Sequence, residues 1–199
     1  MKPLRFLTWN LNGAAGDWAH RLVELLAAEV TDGPSIAALQ EVKPATFQAI
    51  EESGVFDWLV HSLQLRPPGE FDRGNRKLGC VVAGRGEVDH PDEARSEFWW
   101  PAHEPLVLGP RSDRQHDLED AYRLWLAENP DEFNAIVTER PDGPLAITHL
   151  RGAKEIRCRY DQVWVSPEWH VERLRHLTEE SFKAGSDHAL VATELRLRP

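Results

Sequence analysis

The chain has 199 residues, enough for one domain with a sizeable core, and its 41% hydrophobic and 28% charged composition is ordinary for a globular protein. A formal net charge of −10 argues against a tight, sequence-independent grip on duplex nucleic acid, whose affinity scales with neutralised phosphates. No apolar run approaches the roughly 18–20 residues of a membrane span, and Met1 to Asn10 lacks the apolar core of a signal peptide, so a cytoplasmic protein is expected.

In chain order, Leu4 to Trp9 reads as a strand ending at Asn10. Asp17 is the expected N-cap of a helix carrying Leu22, Leu25, Leu26 and Val30, which Gly33-Pro34 stops. Ser35 to Leu39 reads as a buried strand running into Gln40 and Glu41, and a helix follows with Pro44 at N1, an apolar side of Phe47 and Ile50, and Gly54 past its end. Strand–helix–strand–helix over 54 residues predicts an α/β fold. Phe56 to Leu65 and Leu78 to Ala83 are further strands, whereas 85–116 has four prolines and no sustained period. Leu118, Ala121, Tyr122, Trp125 and Leu126 lie on one helical face, with Asp117 as the expected cap and Pro130 as the stop. Leu145 to Thr148, Arg159 to Val165 and Ala189 to Leu197 read as the remaining strands of a single domain spanning 1–199. Cys80 and Cys158 lack metal-ligand spacing and are expected as reduced structural thiols.

The segment Gly185-Ser186-Asp187-His188-Ala189-Leu190-Val191 is a small-residue turn that delivers an acid and an imidazole to the start of an apolar strand. Sheet rims of this kind are where α/β enzymes keep their chemistry. Glu41, at a strand end, is the best single candidate for a Mg²⁺ or Mn²⁺ ligand, since carboxylates are hard oxygen donors. From spacing alone, a solvated glutamate at a helix entry remains equally open. Asn12-Gly13 is a turn signal in its own right. Arg151, Lys154, Arg157 and Arg159 form a basic run, read first as a solvated face and second as a phosphate-binding surface.

Taken together, Thr8-Trp9-Asn10-Leu11-Asn12-Gly13, Leu39-Gln40-Glu41, Asp117 to Arg123, Arg159-Tyr160-Asp161 and Ser186-Asp187-His188 resemble the motifs of the endonuclease/exonuclease/phosphatase superfamily, in matching order. The resemblance covers about three quarters of the chain and implies a deoxyribonuclease-I-like α/β (α+β sandwich) fold, with a two-sheet core flanked by helices. It implies a metal-dependent phosphoesterase of nuclease-like type, with Mg²⁺ or Mn²⁺ as cofactor and a phosphate ester, nucleic acid included, as substrate. No obligate protein partner is indicated. On this pattern Glu41 binds the metal and Asp187 completes the metal or phosphate shell. Asp161 orients His188, and His188 contacts the scissile phosphate. Asn10 orients a phosphate oxygen or a neighbouring carboxylate, with Asn12 and Arg123 supporting. Asp161 is then expected within hydrogen-bond reach of His188, roughly 2.6–3.2 Å, and Glu41 and His188 are expected to face one cleft.

Two family elements are missing from their places: a strand ending in a functional histidine, and the Gly-Asp-x-Asn strand end whose acid activates water. Thr148-His149-Leu150 looks like the first but follows the helix that it should precede. A shortened middle leaves an alternative of another class, a non-catalytic remnant or binding domain on the same scaffold. It also leaves room for Asp89, His90 or His149 as substitutes.

Overall fold

A computed structural model describes residues 2–12, 18–30, 33–65, 78–86, 117–151 and 156–199. Asp17, Lys154, Asp89 and His90 fall outside these residues, as does nearly all of 85–116.

The first half follows the apolar pattern closely. It runs β1 (Leu4–Asn10), α1 (Ala19–Glu29), β2 (Ser35–Val42), α2 (Pro44–Ser53), β3 (Trp58–His61), α3 (Ser62–Leu65) and β4 (Gly79–Arg85). Pro44 opens α2, and Gly54 closes it at φ +63°, a left-handed conformation that glycine adopts without a Cβ penalty. The strand expected over Phe56 to Leu65 is shorter. At His61 the ring Nδ1 accepts from Leu63 N (3.0 Å), while His61 N donates to Gln64 Oε1 (2.9 Å), so the chain turns helically.

The second half departs further: β5 (Glu119–Asp120), α4 (Ala121–Glu128), α5 (Pro130–Glu139), β6 (His149–Arg151), β7 (Ile156–Cys158), β8 (Trp164–Val165), β9 (Trp169–Leu177), α6 (Thr178–Lys183) and β10 (Leu190–Leu197). Asp120, not Asp117, caps α4, its carboxylate accepting from Tyr122 N at 3.0 Å. Pro130 does not end helical structure but begins α5, because the ring's fixed φ and missing N–H suit a first-turn position. The strand expected over Leu145 to Thr148 lies later, at His149–Arg151. Arg159 to Val165 is a ladder only at Trp164–Val165. Tyr160 N and Asp161 N both donate to Thr148 Oγ1 (2.8 and 3.0 Å), and those amides are lost to strand pairing.

The architecture is mixed α/β. Six strands pair in the order β3-β4-β2-β1-β10-β9, and only β1 and β2 run parallel. One face packs on α1 and α2 through Leu7, Trp9, Leu22, Leu26, Leu39 and Ile50. The other packs on α4 and the β5–β8 pair through Tyr122, Leu126, Val163, Val165, Leu174 and Val191. Among the described residues the second layer therefore combines a helix with two-stranded pieces. No helix among them is long and apolar enough to cross a membrane. Cys80 is exposed and Cys158 half-buried, both as free thiols.

On β9, His176 sits edge-on to the Tyr122 ring (4.6 Å between centroids), with Nε2 buried and unpartnered. Burial, reinforced by the Arg159 guanidinium, pushes its pKa down to about 4. The unfolded chain takes up this proton near pH 6.5 and the folded chain only near 4, so stability falls as pH drops through that window and levels off below it. At pH 5 the loss is about 2 kcal/mol. Urea unfolding at pH 7 and pH 5 should therefore show a smaller loss in His176→Gln than in the parent. Equal losses would show that His176 is not the proton acceptor.

Candidate active site

Parallel pairing of β1 and β2 brings two strand ends to one rim, with Asn10 opposite Gln40 and Glu41 next in line. Asn10 Nδ2 donates to Glu41 Oε1 at 3.1 Å, and Asn10 Oδ1 accepts from Asn12 N at 2.8 Å. The amide is thereby fixed in orientation, its oxygen in a local turn and its NH₂ on the carboxylate. Asn12, at φ +50°, makes that turn. Its structural contribution is the N–H that holds Asn10.

Glu41 lies where the β2–β4 ladder slips. Leu39 pairs with Val81 and Val42 with Gly79, so Gln40 and Glu41 together oppose Cys80. Glu41 takes up the extra residue at φ +54°. A left-handed non-glycine residue costs about 1–2 kcal/mol and persists only where its surroundings impose it. The bulge turns the carboxylate toward Asn10.

The turn Gly185–His188 is tied to β1 from two sides. Ser186 Oγ, buried, donates to Asn10 O (2.6 Å) and accepts from His188 N (3.0 Å), while Trp9 Nε1 donates to His188 O (2.9 Å). Gly185 enters the turn at φ +97°. His188 Nδ1 then lies 3.0 and 2.9 Å from the two Asp161 oxygens. A carboxylate only accepts, so Nδ1 carries the hydrogen and Nε2 faces outward. The hydrogen bond that His188 donates to Asp161 raises the His188 pKa. Burial opposes it, and the charges of Asp161, Asp187 and Glu41 add to the rise.

Thr148, fully buried, holds the chain at Tyr160 and Asp161 by the two hydrogen bonds described above. Its neighbour His149 pairs with His188 in an antiparallel bridge, the two imidazoles stacked at 4.3 Å. Tyr160 also stacks on His149, at 5.3 Å between ring centroids. The sequence motif Thr148-His149-Leu150 thus lies beside His188 in space despite its place after the helix.

Asn10, Glu41, Asp161, Asp187 and His188 share this neighbourhood. Asp187 has its side chain half-exposed, yet its Oδ1 is buried without a hydrogen-bond partner, 4.0 Å from His188 Nε2. Arg123 is not drawn in. Its guanidinium is 72% exposed and pairs with Asp120 at 3.6 Å. Arg159 is not part of a solvated basic face either: it makes a buried bidentate pair with Asp120 at 2.5 and 2.6 Å. Ser186, Trp9 and Thr148 were not singled out from sequence as supports, because a hydroxyl or indole within a strand or turn carries no pattern of its own. Surface grooves of about 310, 430 and 680 Å³ are lined by other residues.

No family model matches the chain, and no curated protein matches it. Among solved structures it is similar to an endonuclease/exonuclease/phosphatase from Beutenbergia cavernae DSM 12333, at 15% identity and a TM-score of 0.47, over 99% of this chain and 72% of that one.

Proposed function

We propose that the chain is a metal-dependent phosphoesterase acting on phosphodiesters. The observation that carries this reading is His188, held by Asp161 at 2.9–3.0 Å with Nε2 outward, beside Asp187 and within the field of Glu41. The family-like motifs of the sequence converge on the same residues.

A divalent cation fits the donors present. Asp187 Oδ1 is buried without a partner, and the Glu41 carboxylate is oriented by Asn10. Both are hard oxygen donors suited to Mg²⁺ or Mn²⁺. Such an ion, when bound, neutralises phosphate charge and makes a nucleophile of water. The chain's own residues do the rest. Asp161 fixes the His188 tautomer and stabilises imidazolium, so that Nε2–H can donate to a phosphate oxygen as negative charge develops there. Asn10 keeps Glu41 aimed, and Ser186 with Trp9 keeps His188 in register with β1.

With Mg²⁺ or Mn²⁺ the purified protein should hydrolyse a generic aryl phosphodiester and stop on addition of EDTA. His188→Ala should lower the rate by about 10²–10⁴. A variant as active as the parent would remove His188 from the reaction. A second reading, a binding domain without turnover, is favoured by one observation: no Gly-Asp-x-Asn occurs in the sequence. Metal binding with no hydrolysis in the parent would decide for it.

A further inference from the structure

The geometry points to a borderline transition-metal site, of the kind that takes Zn²⁺, formed by His149, Asp187 and His188. One ligand-capable atom from each of the three lies within 4.8 Å of the others. Tetrahedral Zn²⁺ with bonds of about 2.0–2.1 Å needs its ligand atoms about 3.3 Å apart. Closing that difference requires the two imidazoles, stacked 25° from parallel, to turn toward each other so that both in-plane lone pairs meet at one point.

The hydrogen bonds behind the ligands make the case specific. Metal-binding histidines donate their second ring N–H to a carboxylate or a backbone carbonyl, which fixes the tautomer and leaves the other nitrogen's lone pair for the ion. Both histidines do this here, each with one of the two partner types. His188 Nδ1 donates to Asp161, and His149 Nδ1 donates to the Asp187 carbonyl at 3.0 Å. Each ring is therefore left with an unprotonated Nε2 when neutral. Asp187 Oδ1, buried and without a hydrogen-bond partner, supplies the third donor. The β-bridge between His149 and His188 sets the two rings side by side through the backbone, so the pair does not depend on side-chain contacts alone.

Two imidazoles and one carboxylate form a softer set than the all-oxygen shells that Mg²⁺ prefers, and three protein ligands leave a position open. This site goes beyond the phosphoesterase reading and does not need it. It makes a different demand on His188 Nε2, which is a metal ligand here and a phosphate contact there. Binding measured without substrate lets either idea fail alone.

The test uses the full chain, stripped of metal by chelation and titrated with Co²⁺ as a spectroscopic stand-in for Zn²⁺. One equivalent of Co²⁺ should give visible d–d absorption of four- or five-coordinate type, and Zn²⁺ should displace it. His149→Gln and Asp187→Asn should each weaken Co²⁺ binding by about tenfold or more, while Glu179→Gln, which alters an exposed carboxylate on α6, stays within about twofold. In the parent protein, Zn²⁺ should also shift the ring resonances of His149 and His188 together, a readout that survives if a variant folds poorly. Absence of the absorption would overturn the inference. So would His149→Gln binding as tightly as the parent, or Glu179→Gln weakening as much as His149→Gln.

Discussion

Trp9→Ala is expected to cost about 3–5 kcal/mol of stability, the range for deleting a large buried aromatic. Trp9 is fully buried on the α1–α2 side of the sheet, opposite Leu39 in the β1–β2 ladder. It also does something that an aliphatic residue cannot: its indole N–H donates to the carbonyl of His188, 179 residues later in the chain. Alanine removes both the volume and the donor. Trp9→Phe separates them, since most of the volume stays while a half-buried carbonyl loses its partner, at about 1–3 kcal/mol. Urea unfolding reads the stability of both variants. Hydrolysis should fall in Trp9→Phe by more than its stability explains, because one of the two described ties between β1 and the turn that carries His188 is then gone. If the phenylalanine variant matched the parent in both measurements, the indole would be packing and nothing more.

Asp120→Ala should be comparably severe, at about 3–5 kcal/mol, because it strands a buried guanidinium. Arg159 has a side chain 10% exposed, and Asp120 is 6% exposed. Two parallel hydrogen bonds join them. Burial pushes the Asp120 carboxyl up, but hydrogen bonding and charge from Arg159, with the Tyr122 and Arg123 amides, outweigh it and leave the pKa below its usual value. Asp120 also caps α4, so its loss frees the Tyr122 N–H as well. The double replacement Asp120→Leu with Arg159→Met should recover most of the loss, since an apolar pair of similar volume leaves no charge unpaired. A double variant no better than Asp120→Ala would mean that the pair is valued for placing the chain at Asp161, two residues beyond Arg159. Urea midpoints of the three proteins settle the order.

What could be read from sequence divides by physical cause. The β1-α1-β2-α2 half was legible because its apolar periods are clean and Pro44 and Gly54 sit at positions that only helix ends favour. β9 was not. Leu174 pairs with Thr193 and Arg173 with Glu194, but the next pairing joins Val171 to Leu195, so the ladder slips at Glu172. The bulge puts Val171 and Leu174, three apart, on one face, and the strand loses the period of two by which strands are recognised. α5 was hidden for a different reason. A proline that follows a helix reads as a stop, yet the same ring opens the next helix. In the site, Asn10, Glu41, Asp161 and His188 were named from motif resemblance, whereas the proximity of His149 depended on a bridge between β6 and the turn before β10, which chain order does not reveal.

The left-handed backbone at Glu41 has a consequence for how this protein would evolve under heat. A residue that holds about 1–2 kcal/mol of conformational strain is one where glycine or asparagine is the better tenant, since both accept φ near +54° more readily. Libraries screened for thermal tolerance alone should therefore enrich Glu41→Gly or Glu41→Asn. The gain in melting temperature would come with the loss of the carboxylate that Asn10 holds. Thermal robustness and the site would then be in direct conflict at a single codon.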